Sequence, residues 1–592
     1  MRVQLAQQVQ ELLGKRDLLI ITERVDDVAL LMAPMVKMGL PESLARHIPR
    51  HWTQRGLSWG WTAVMWLAYI LPEGDHRKVS VETYLKGMHH TLSHLTAQGI
   101  EPLDCSDDRL SHLLTHLSKP AYWHQIEHDL NARSIEVYAW SQDVSRCEAT
   151  TVSGDHEVTA GGLVQCGHSK DEPTRPQIKV MLGSLDPLGL PLATDVVAGE
   201  RADDGLYLPI IERLRTGLQP PGLLFVGDCQ MSALDTRAYL ARHQDWYLAP
   251  WPLPGATAEA MEAWITTGVS KGARGTLAQI WRTNERGHTV LAAAGYELER
   301  TCCAPDGDVT WRERVLVVRS PLQATPQAAG LEKRLHHAET ALTALTPPRG
   351  RGKRPSTDAA TLVEAIDRVL KDQRGDGVRS VAWEKQSEQT TPYGGRGRGA
   401  VHREKRVIQK TRSHLTHSVR QADTMADLCQ RFGWKAFGTK AGQKRLSWPE
   451  AVLCYRNAYR VERLFNRLKS RVHIAPLFVK LNEQIEGLTY LLTLGVRVLT
   501  VTEFGLRRSL EPDQARLPGL HPENKHKMTD KPTAERILQA FANISLTLIK
   551  TAAGEDMLRQ LTPLSGVQEA ILPRLGLGTA LYGQLEIQGI GT

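Results

Sequence analysis

Residues 177–228 decide the fold; they read QIKVMLGSLDPLGLPLATDVVAGERADDGLYLPIIERLRTGLQPPGLLFVGD. Two apolar, β-branched runs, residues 177–186 and 190–199, are joined by the turn signal LDPLGLP. A helix pattern that opens on acidic residues follows, and then another apolar run that ends at Asp228. Runs joined by a short turn can pair antiparallel, whereas strands separated by a helix can add in parallel. The stretch therefore predicts a mixed α/β sheet.

The sequence on either side extends this pattern. Upstream, RCEATTV at residues 146–152 predicts a strand that pairs with the first two runs as an antiparallel meander. Downstream, MSALDTRAYLARH predicts a helix, and DWYLAP at residues 245–250 a short strand. The order is then three strands, helix, strand, helix, strand. This α/β arrangement is the layout of a ribonuclease-H-like (retroviral-integrase-like) core.

The remaining sequence divides around this core. The first part is rich in short amphipathic helix patterns, which suit either a DNA-binding module or a helical packing domain. The predicted segments are a helical N-terminal domain (1–135), the first part of the core (136–250), a β-rich and basic insertion (251–446), two helices that complete the core (447–515) and a helical C-terminal tail (516–592).

Composition is that of a soluble globular protein. Of 592 residues, 41% are hydrophobic and 23% charged, and 73 Lys and Arg against 65 Asp and Glu give a net charge of +8. The eight cysteines are scattered, without zinc spacing, which favours a reducing cytoplasm over a disulfide framework. The start of the sequence lacks a signal-peptide pattern. The long apolar run at 481–510 is broken by Arg497, so we expect it to be buried in protein rather than in a membrane.

Basic residues concentrate between 347 and 420, inside the predicted insertion. Arg and Lys beside Gly let the chain approach a phosphate backbone closely, and each contact releases counterions. We therefore favour DNA contact here over a solvated linker. The residues that we expect to bind DNA in this stretch are Arg396, Arg398, Arg403, Lys405 and Arg406.

Three acidic residues are candidates for chemistry. Glu148 lies within a strand, Asp228 ends a strand, and Glu462 lies in a helix pattern. A carboxylate at the end of an apolar strand is costly unless it is paired or binds metal. In α/β sheets the carboxyl ends of strands are also where ligands bind. Oxygen ligands of this kind suit Mg²⁺ or Mn²⁺.

The helix that carries Glu462 has the clearest signals in the sequence. Ser447 and Glu450 match a capping box, which predicts one helix over residues 447–470. Within it Tyr455, Glu462 and Lys469 are spaced by seven, so a continuous helix would place them on one face. The carboxylate could then meet a metal while the Tyr and Lys meet phosphate. Alone, the same spacing equally describes a solvated helix face.

Taken together, the three acidic candidates and the spacing of the helix residues resemble the DDE transposases of bacterial insertion sequences, in the group with a Tyr-x2-Arg-x3-Glu-x6-Lys signature. The matching signature residues are Tyr455, Glu462 and Lys469. Ala458 stands where the signature has Arg, although Arg456 and Arg460 flank it and could substitute as DNA-binding residues. The resemblance covers residues 100–510 and includes a β-rich insertion before the final Glu.

This resemblance implies a function. Glu148, Asp228 and Glu462 would hold two Mg²⁺ or Mn²⁺ ions that support nicking of double-stranded DNA at terminal inverted repeats. The freed 3′ hydroxyl would then attack target DNA. Such an enzyme works as a homodimer or higher oligomer in a synaptic complex, and we expect it in the bacterial cytoplasm at the nucleoid.

The sequence departs from the family at its first acidic residue. The group has D-x-T-T where this chain has E-A-T-T at residues 148–151. Glu148 could still bind metal, or Asp143 or Asp155 could supply the ligand, or the copy could be catalytically impaired, since a misplacement of roughly 1 Å can cost about 10²-fold. The alternative functions are thus an impaired, DNA-binding regulator, or a host nuclease or resolvase on the same fold.

Overall fold

The computed structural model describes residues 19–52, 55–101, 103–169, 172–218, 221–252, 257–283, 287–347, 358–375, 377–391, 407–457, 459–524, 526–550 and 556–586. The chain forms two compact units. The first contains residues 1–249, 302–311 and 453–592, and the second contains residues 250–301 and 312–452. The second unit is nearly the same stretch as the predicted insertion. The predicted N-terminal helical domain shares the first unit with the predicted core.

The described residues form strands and helices in the following order. The strands are β1 (Leu19–Arg24), β2 (Val144–Ser153), β3 (Gln177–Leu185), β4 (Leu190–Ala198), β5 (Leu224–Gly227), β6 (Trp246–Pro250), β7 (Ala278–Thr283), β8 (Thr289–Cys303), β9 (Thr310–Arg319), β10 (Arg379–Thr390), β11 (Ile408–Arg420), β12 (Trp434–Thr439), β13 (Ser545–Lys550) and β14 (Asp556–Leu561). The helices are α1 (Val28–Lys37), α2 (Leu40–His47), α3 (Trp59–Glu73), α4 (Lys78–Lys86), α5 (His89–Thr96), α6 (Asp107–Leu117), α7 (Pro120–Tyr138), α8 (Tyr207–Gly217), α9 (Leu234–Arg242), α10 (Ala258–Ala273), α11 (Pro321–Leu345), α12 (Ala359–Asp372), α13 (Ala422–Arg431), α14 (Trp448–Arg456), α15 (Tyr459–Asn466), α16 (Asn482–Leu510), α17 (Ala534–Ala540), α18 (Gly566–Arg574) and α19 (Ala580–Gly583).

A mixed sheet forms the centre of the first unit. Its strands run in the order β4-β3-β2-β5-β6. The β2–β3 and β3–β4 pairs are antiparallel, whereas β2–β5 and β5–β6 are parallel. The sequence predicted these strands, the helices α8 and α9 between the later ones, and the turn between Leu185 and Leu190, and all of these predictions are confirmed. The fold class is therefore mixed α/β.

One long helix, α16, joins the N-terminal helices to this sheet. It packs against α6, α3 and α1 and also against β4. At Gly487 a Cβ would lie 2.1 Å from the Leu114 carbonyl oxygen, so glycine permits the close approach of α16 and α6. By length and composition α16 could cross a membrane, but 94% of its most apolar window is buried inside the protein. The prediction of a buried packing helix is confirmed.

The buried face of α16 also carries a charge. Arg497 is 2% exposed, and its guanidinium donates to Asn131 Oδ1 at 2.8 Å, Leu130 O at 2.8 Å and Ser134 Oγ at 3.0 Å on α7. Burial lowers the pKa of Arg497 to about 10, and the charge of Glu127 opposes that shift. These hydrogen bonds satisfy most of the donors that burial removes from water.

A second small sheet corrects the prediction of helical N- and C-terminal segments. Strand β1 pairs antiparallel with β13, with Ile21 opposite Leu548, and β13 pairs with β14. Residues 19–24, 545–550 and 556–561 are therefore strands rather than helix. The prediction was wrong because each run is short, and a partner more than 500 residues away leaves no local periodicity to read.

The described part of the second unit contains two groups of paired strands. Strands β12, β9, β8 and β7 are neighbours in that order, and β10 and β11 form a long antiparallel hairpin. Glu313 is fully buried and accepts a hydrogen bond from Arg300 at 2.6 Å. Arg300 also lies 4.1 Å from the centre of the Trp251 ring, a cation–π distance.

Candidate active site

Asp228 stands at the end of β5, where the chain leaves the sheet. Its carboxylate accepts a hydrogen bond from the Gln230 backbone N–H at 2.8 Å and caps the short 3₁₀ helix Cys229–Ser232. The same oxygen, Oδ1, accepts from the Tyr207 hydroxyl at 2.7 Å. The two donors hold the carboxylate in one orientation at the carboxyl edge of a parallel strand.

Glu148 lies beside Asp228 on the neighbouring strand. Strands β2 and β5 are parallel, and Cys147 pairs with Gly227. Glu148 and Asp228 are the next residues along each strand, so they are neighbours across a strand spacing of about 4.8 Å. Both side chains are half-buried. The structure therefore brings these two predicted site residues together.

Gly227 makes room for this arrangement. A Cβ at position 227 would lie 2.7 Å from Met231 Sδ and 3.0 Å from Tyr207 Cε1. Tyr207 is fully buried, and its burial, followed by the negative charge of Asp228, raises the pKa of its hydroxyl well above the usual value. The hydroxyl thus stays protonated and donates to Asp228.

Tyr455 is the third predicted residue that lies near this pair. Helix α14, which carries it, begins with the predicted capping box: Ser447 N donates to Glu450 Oε2 at 2.8 Å, and Glu450 N donates to Ser447 Oγ at 3.4 Å. Burial raises the pKa of Tyr455 to about 12, and the charges of Asp228 and Glu148 add to the shift. The Tyr455 hydroxyl is therefore a protonated donor at neutral pH beside two carboxylates.

The prediction of one continuous helix over 447–470 is wrong. Helix α14 ends at Arg456, α15 begins at Tyr459, and a π-helical segment follows at Arg467–Arg471. The Cys454 carbonyl accepts from Asn457 N at 3.1 Å, a three-residue turn, and also from the Arg146 side chain. Asn457 is a turn residue between the two helices, so the premise of one regular helix, from which the common face was predicted, does not hold.

Two predicted residues lie beyond this interruption. Glu462 is exposed on α15, and Lys469 lies in the π-helical segment. Within the described ranges, no group of three or more His, Cys, Asp or Glu side chains is arranged to hold a metal ion. A site formed by Glu148, Asp228 and Glu462 together therefore stays a prediction.

A buried carboxylate just after β3 connects the two parts of the site. Asp186 is 8% exposed and accepts from Arg146 Nη2 at 2.9 Å and from Arg460 Nη1 at 2.8 Å. Arg146 is two residues before Glu148 on β2, and Arg460 is two residues before Glu462 on α15. The Asp186 carboxylate thus links the strand that carries one predicted acid to the helix that carries another.

The sequence held only a weak signal for this link. Both Arg146 and Arg460 precede predicted site acids by two residues, but Arg460 lies 274 residues from Asp186 along the chain. Arg460, predicted to bind DNA, is engaged with this carboxylate, and its guanidinium lies 5.8 Å from the Tyr459 ring centre. Arg456, its predicted companion, lies in the last turn of α14.

The other acidic residues near the site have partners elsewhere. Asp155 forms an exposed ion pair with Arg175 at 2.6 Å, and Asp143 accepts from the Ser141 hydroxyl. Asp203 accepts from Lys179 Nζ at 2.6 Å. Neither Asp143 nor Asp155 occupies the register position beside Asp228, which favours Glu148 itself as the first acid.

The predicted basic DNA contacts of the insertion fall in a stretch, residues 392–406, that the structure does not describe. Arg396, Arg398, Arg403, Lys405 and Arg406 lie outside the described residues. The described strands β10 and β11 flank that stretch of sequence on either side.

No protein-family model matches the chain, and no curated protein matches it. Among solved structures, the piggyBac transposase in a synaptic complex with hairpin DNA has a TM-score of 0.33 and 7% sequence identity, covering 96% of this chain and 87% of that one. At that TM-score and identity, the likeness carries no argument about function.

Proposed function

We propose that the first unit is a ribonuclease-H-like catalytic core and that the protein is a DDE-type DNA transposase. The observation that carries the proposal is the pair Glu148 and Asp228, which directly follow the paired residues Cys147 and Gly227 of two parallel strands. The strand order β4-β3-β2-β5-β6, with an antiparallel meander followed by parallel strands, supports the fold. The motif around Tyr455, Glu462 and Lys469 supports the assignment to insertion-sequence transposases.

The pair fits a hard divalent cation. Mg²⁺ binds through one or two carboxylates while keeping waters and taking oxygens from phosphate, and Mn²⁺ accepts the same oxygen donors. Glu148 and Asp228 would be the ligands, and we retain Glu462 as the proposed third carboxylate of a two-ion site. The chemistry that such ions supply is activation of water and stabilisation of negative charge on the phosphate.

The protein's own side chains have distinct roles in this proposal. Tyr207 and Gln230 orient the Asp228 carboxylate before DNA arrives, which avoids reorganisation during the reaction. Tyr455, protonated at neutral pH, donates a hydrogen bond to a phosphate oxygen at the carboxylate pair. Lys469, Arg456 and Arg460 contribute positive charge for the DNA backbone.

The proposed substrates are the terminal inverted repeats of the element and a target duplex. The proposed working form is a homodimer or higher oligomer on DNA, in the bacterial cytoplasm. The second candidate is a DNA-binding regulator without cleavage activity, favoured by one observation: Glu148 stands where the family's motif has Asp, which moves its carboxylate by one methylene.

A nicking assay separates these candidates. The substrate is a supercoiled plasmid carrying the sequences that flank the reading frame, with Mg²⁺ or Mn²⁺, and a parallel gel-shift measures binding. For a cleaving enzyme we expect Asp228→Asn to reduce nicking by about 10²-fold or more while binding persists. The matched control is Asp235→Asn, an exposed acid on α9 seven residues later, which should nick normally.

Glu148→Asp decides between the candidates. Binding without nicking in the natural sequence, with nicking restored by Glu148→Asp, would establish the regulator. If the natural sequence nicks and Asp228→Asn nicks equally well, the proposed active site is wrong. If the protein binds neither the flanking sequences nor other DNA, both candidates fail.

A further inference from the structure

A recess in the first unit, separate from the carboxylate pair, has the properties of an anion site. It encloses about 800 Å³ and is lined by α15, α16, the turn at residues 187–189 and the segment that follows α16. That volume lies within the range of roughly 300–1,000 Å³ typical of ligand sites. Glu148, Asp228 and Tyr455 are not among its described lining residues.

The lining is strongly basic, and we call this recess the arginine pocket. Its basic residues are Arg460, Arg463, Arg467, Arg507, Arg516 and Lys531. Its acidic residues are Glu503, Glu511 and Asp530, so six basic side chains are accompanied by three acidic ones. A concave wall with an excess of positive charge concentrates positive potential inside it and attracts anionic ligands.

The excess charge is concentrated around one buried carboxylate. Glu503 is 5% exposed and accepts from Arg463, Arg467 and Arg507, the last at 2.8 Å. It also accepts from the Ala534 backbone N–H at 3.0 Å. One carboxylate cannot neutralise three guanidinium groups, although Glu535 lies 3.2 Å from Arg467 and balances part of the charge.

The electrostatics of Arg507 reflect this excess. Burial lowers the pKa of its guanidinium, Glu503 opposes the shift, and the charges of Arg463 and Arg467 lower the pKa further. An added anion would relieve this repulsion. Guanidinium groups present planar pairs of donors that match phosphate oxygens. Tyr459, 56% exposed at the wall, adds an aromatic surface.

We propose that the arginine pocket binds a phosphate-bearing ligand. The phosphate could belong to a DNA backbone or to a free nucleotide, and both present the same anionic oxygens to the arginines. This assignment does not require the cleavage chemistry at Glu148 and Asp228. Arg516 and Lys531, both exposed at the rim, would complete the contacts to the phosphate.

The test measures metal-free binding to the full-length chain. In EDTA, inorganic pyrophosphate and ATP are titrated calorimetrically, and a short duplex oligonucleotide is titrated by fluorescence anisotropy at several salt concentrations. The test variant, Arg516→Ala/Lys531→Ala, leaves the Glu503 contacts untouched. The charge-matched control, Arg46→Ala/Lys86→Ala, removes two exposed cations that form surface ion pairs elsewhere in the unit.

We expect the rim variant to bind at least one probe about tenfold more weakly, with the control within about twofold of the natural sequence. If the rim variant binds pyrophosphate or ATP more weakly, the ligand is a free phosphate compound. If it binds only the duplex more weakly, and the slope of log K against log salt concentration is lower in magnitude by about 2, the ligand is the DNA backbone. Equal binding of all probes by the rim variant and the control would overturn the proposal.

A second variant, which should raise the affinity rather than lower it, distinguishes a lost phosphate contact from a folding defect. Glu511→Gln removes an exposed negative charge from the lining and should tighten phosphate binding by about threefold. A purely structural arginine cluster would not gain affinity in this way. All of these binding measurements are made without metal, so they test the arginine pocket even if Asp228→Asn shows the cleavage proposal to be wrong.

Discussion

The Asp186 carboxylate joins β2 to α15 through Arg146 and Arg460, and replacing Asp186 with Ala tests how much that link stabilises the fold. The change removes the carboxylate between Arg146, which is 3% exposed, and Arg460. Removing one partner of a buried ion pair costs about 3–5 kcal/mol, because the remaining charge is left uncompensated. The Arg460 side chain is 25% exposed and recovers some hydration, so we expect about 3 kcal/mol.

Urea denaturation followed by circular dichroism measures this loss. With a slope of about 3 kcal/mol per molar urea, the unfolding midpoint should fall by about 1 M. The control Asp306→Ala breaks an exposed pair with Arg242 and should change stability by no more than about 0.5 kcal/mol. The triple change Arg146→Met/Asp186→Leu/Arg460→Met should return most of the lost stability, because no buried charge then remains at these three positions. A midpoint for Asp186→Ala equal to that of Asp306→Ala would refute the reasoning.

Two further substitutions test the effect of burial on His76 and the close packing at Gly227. Burial lowers the pKa of His76 from its ordinary 6.5 to about 4, so the unfolded chain binds more protons between those values and stability rises with pH there. The increase in unfolding free energy from pH 5 to pH 7 should be smaller in His76→Phe by about 2 kcal/mol, and an unchanged increase would contradict the burial argument. Gly227→Ala would press on Met231 and Tyr207 and should cost about 1–3 kcal/mol by denaturation and lower nicking. Gly205→Ala, whose added Cβ meets nothing within 4 Å, should be neutral; equal losses in both would contradict the packing argument.

Much of the central sheet was predictable from local pattern. Strands β2 to β6 are apolar or β-branched runs bounded by Gly, Pro and Asp, and the helices between them open on acidic residues. The prediction of a capping box at Ser447 and Glu450 was also correct, because its two partners are only three residues apart and local sequence therefore reports it. The position of Asp228 followed from the end of an apolar strand.

Other features depended on contacts that local pattern does not report. The break between α14 and α15 arises where Arg146, 308 residues away in sequence, contacts the Cys454 carbonyl. The arginine pocket joins α15 and α16 to the turn at residues 187–189. In each case the deciding partner is distant along the chain, so periodicity and spacing carry no trace of it.

By itself, then, the amino-acid sequence determined the strands of the mixed sheet, the start of helix α14 and the two acids that meet on β2 and β5. Those features follow from hydrophobic burial, turn residues and capping, which act over a few residues. Only the tertiary structure decided that Asp186 bridges Arg146 and Arg460, that β1 pairs with β13, and that Glu503 gathers three arginines. Those contacts form because buried charges and strand edges need partners, and the folded chain supplies them from distant positions.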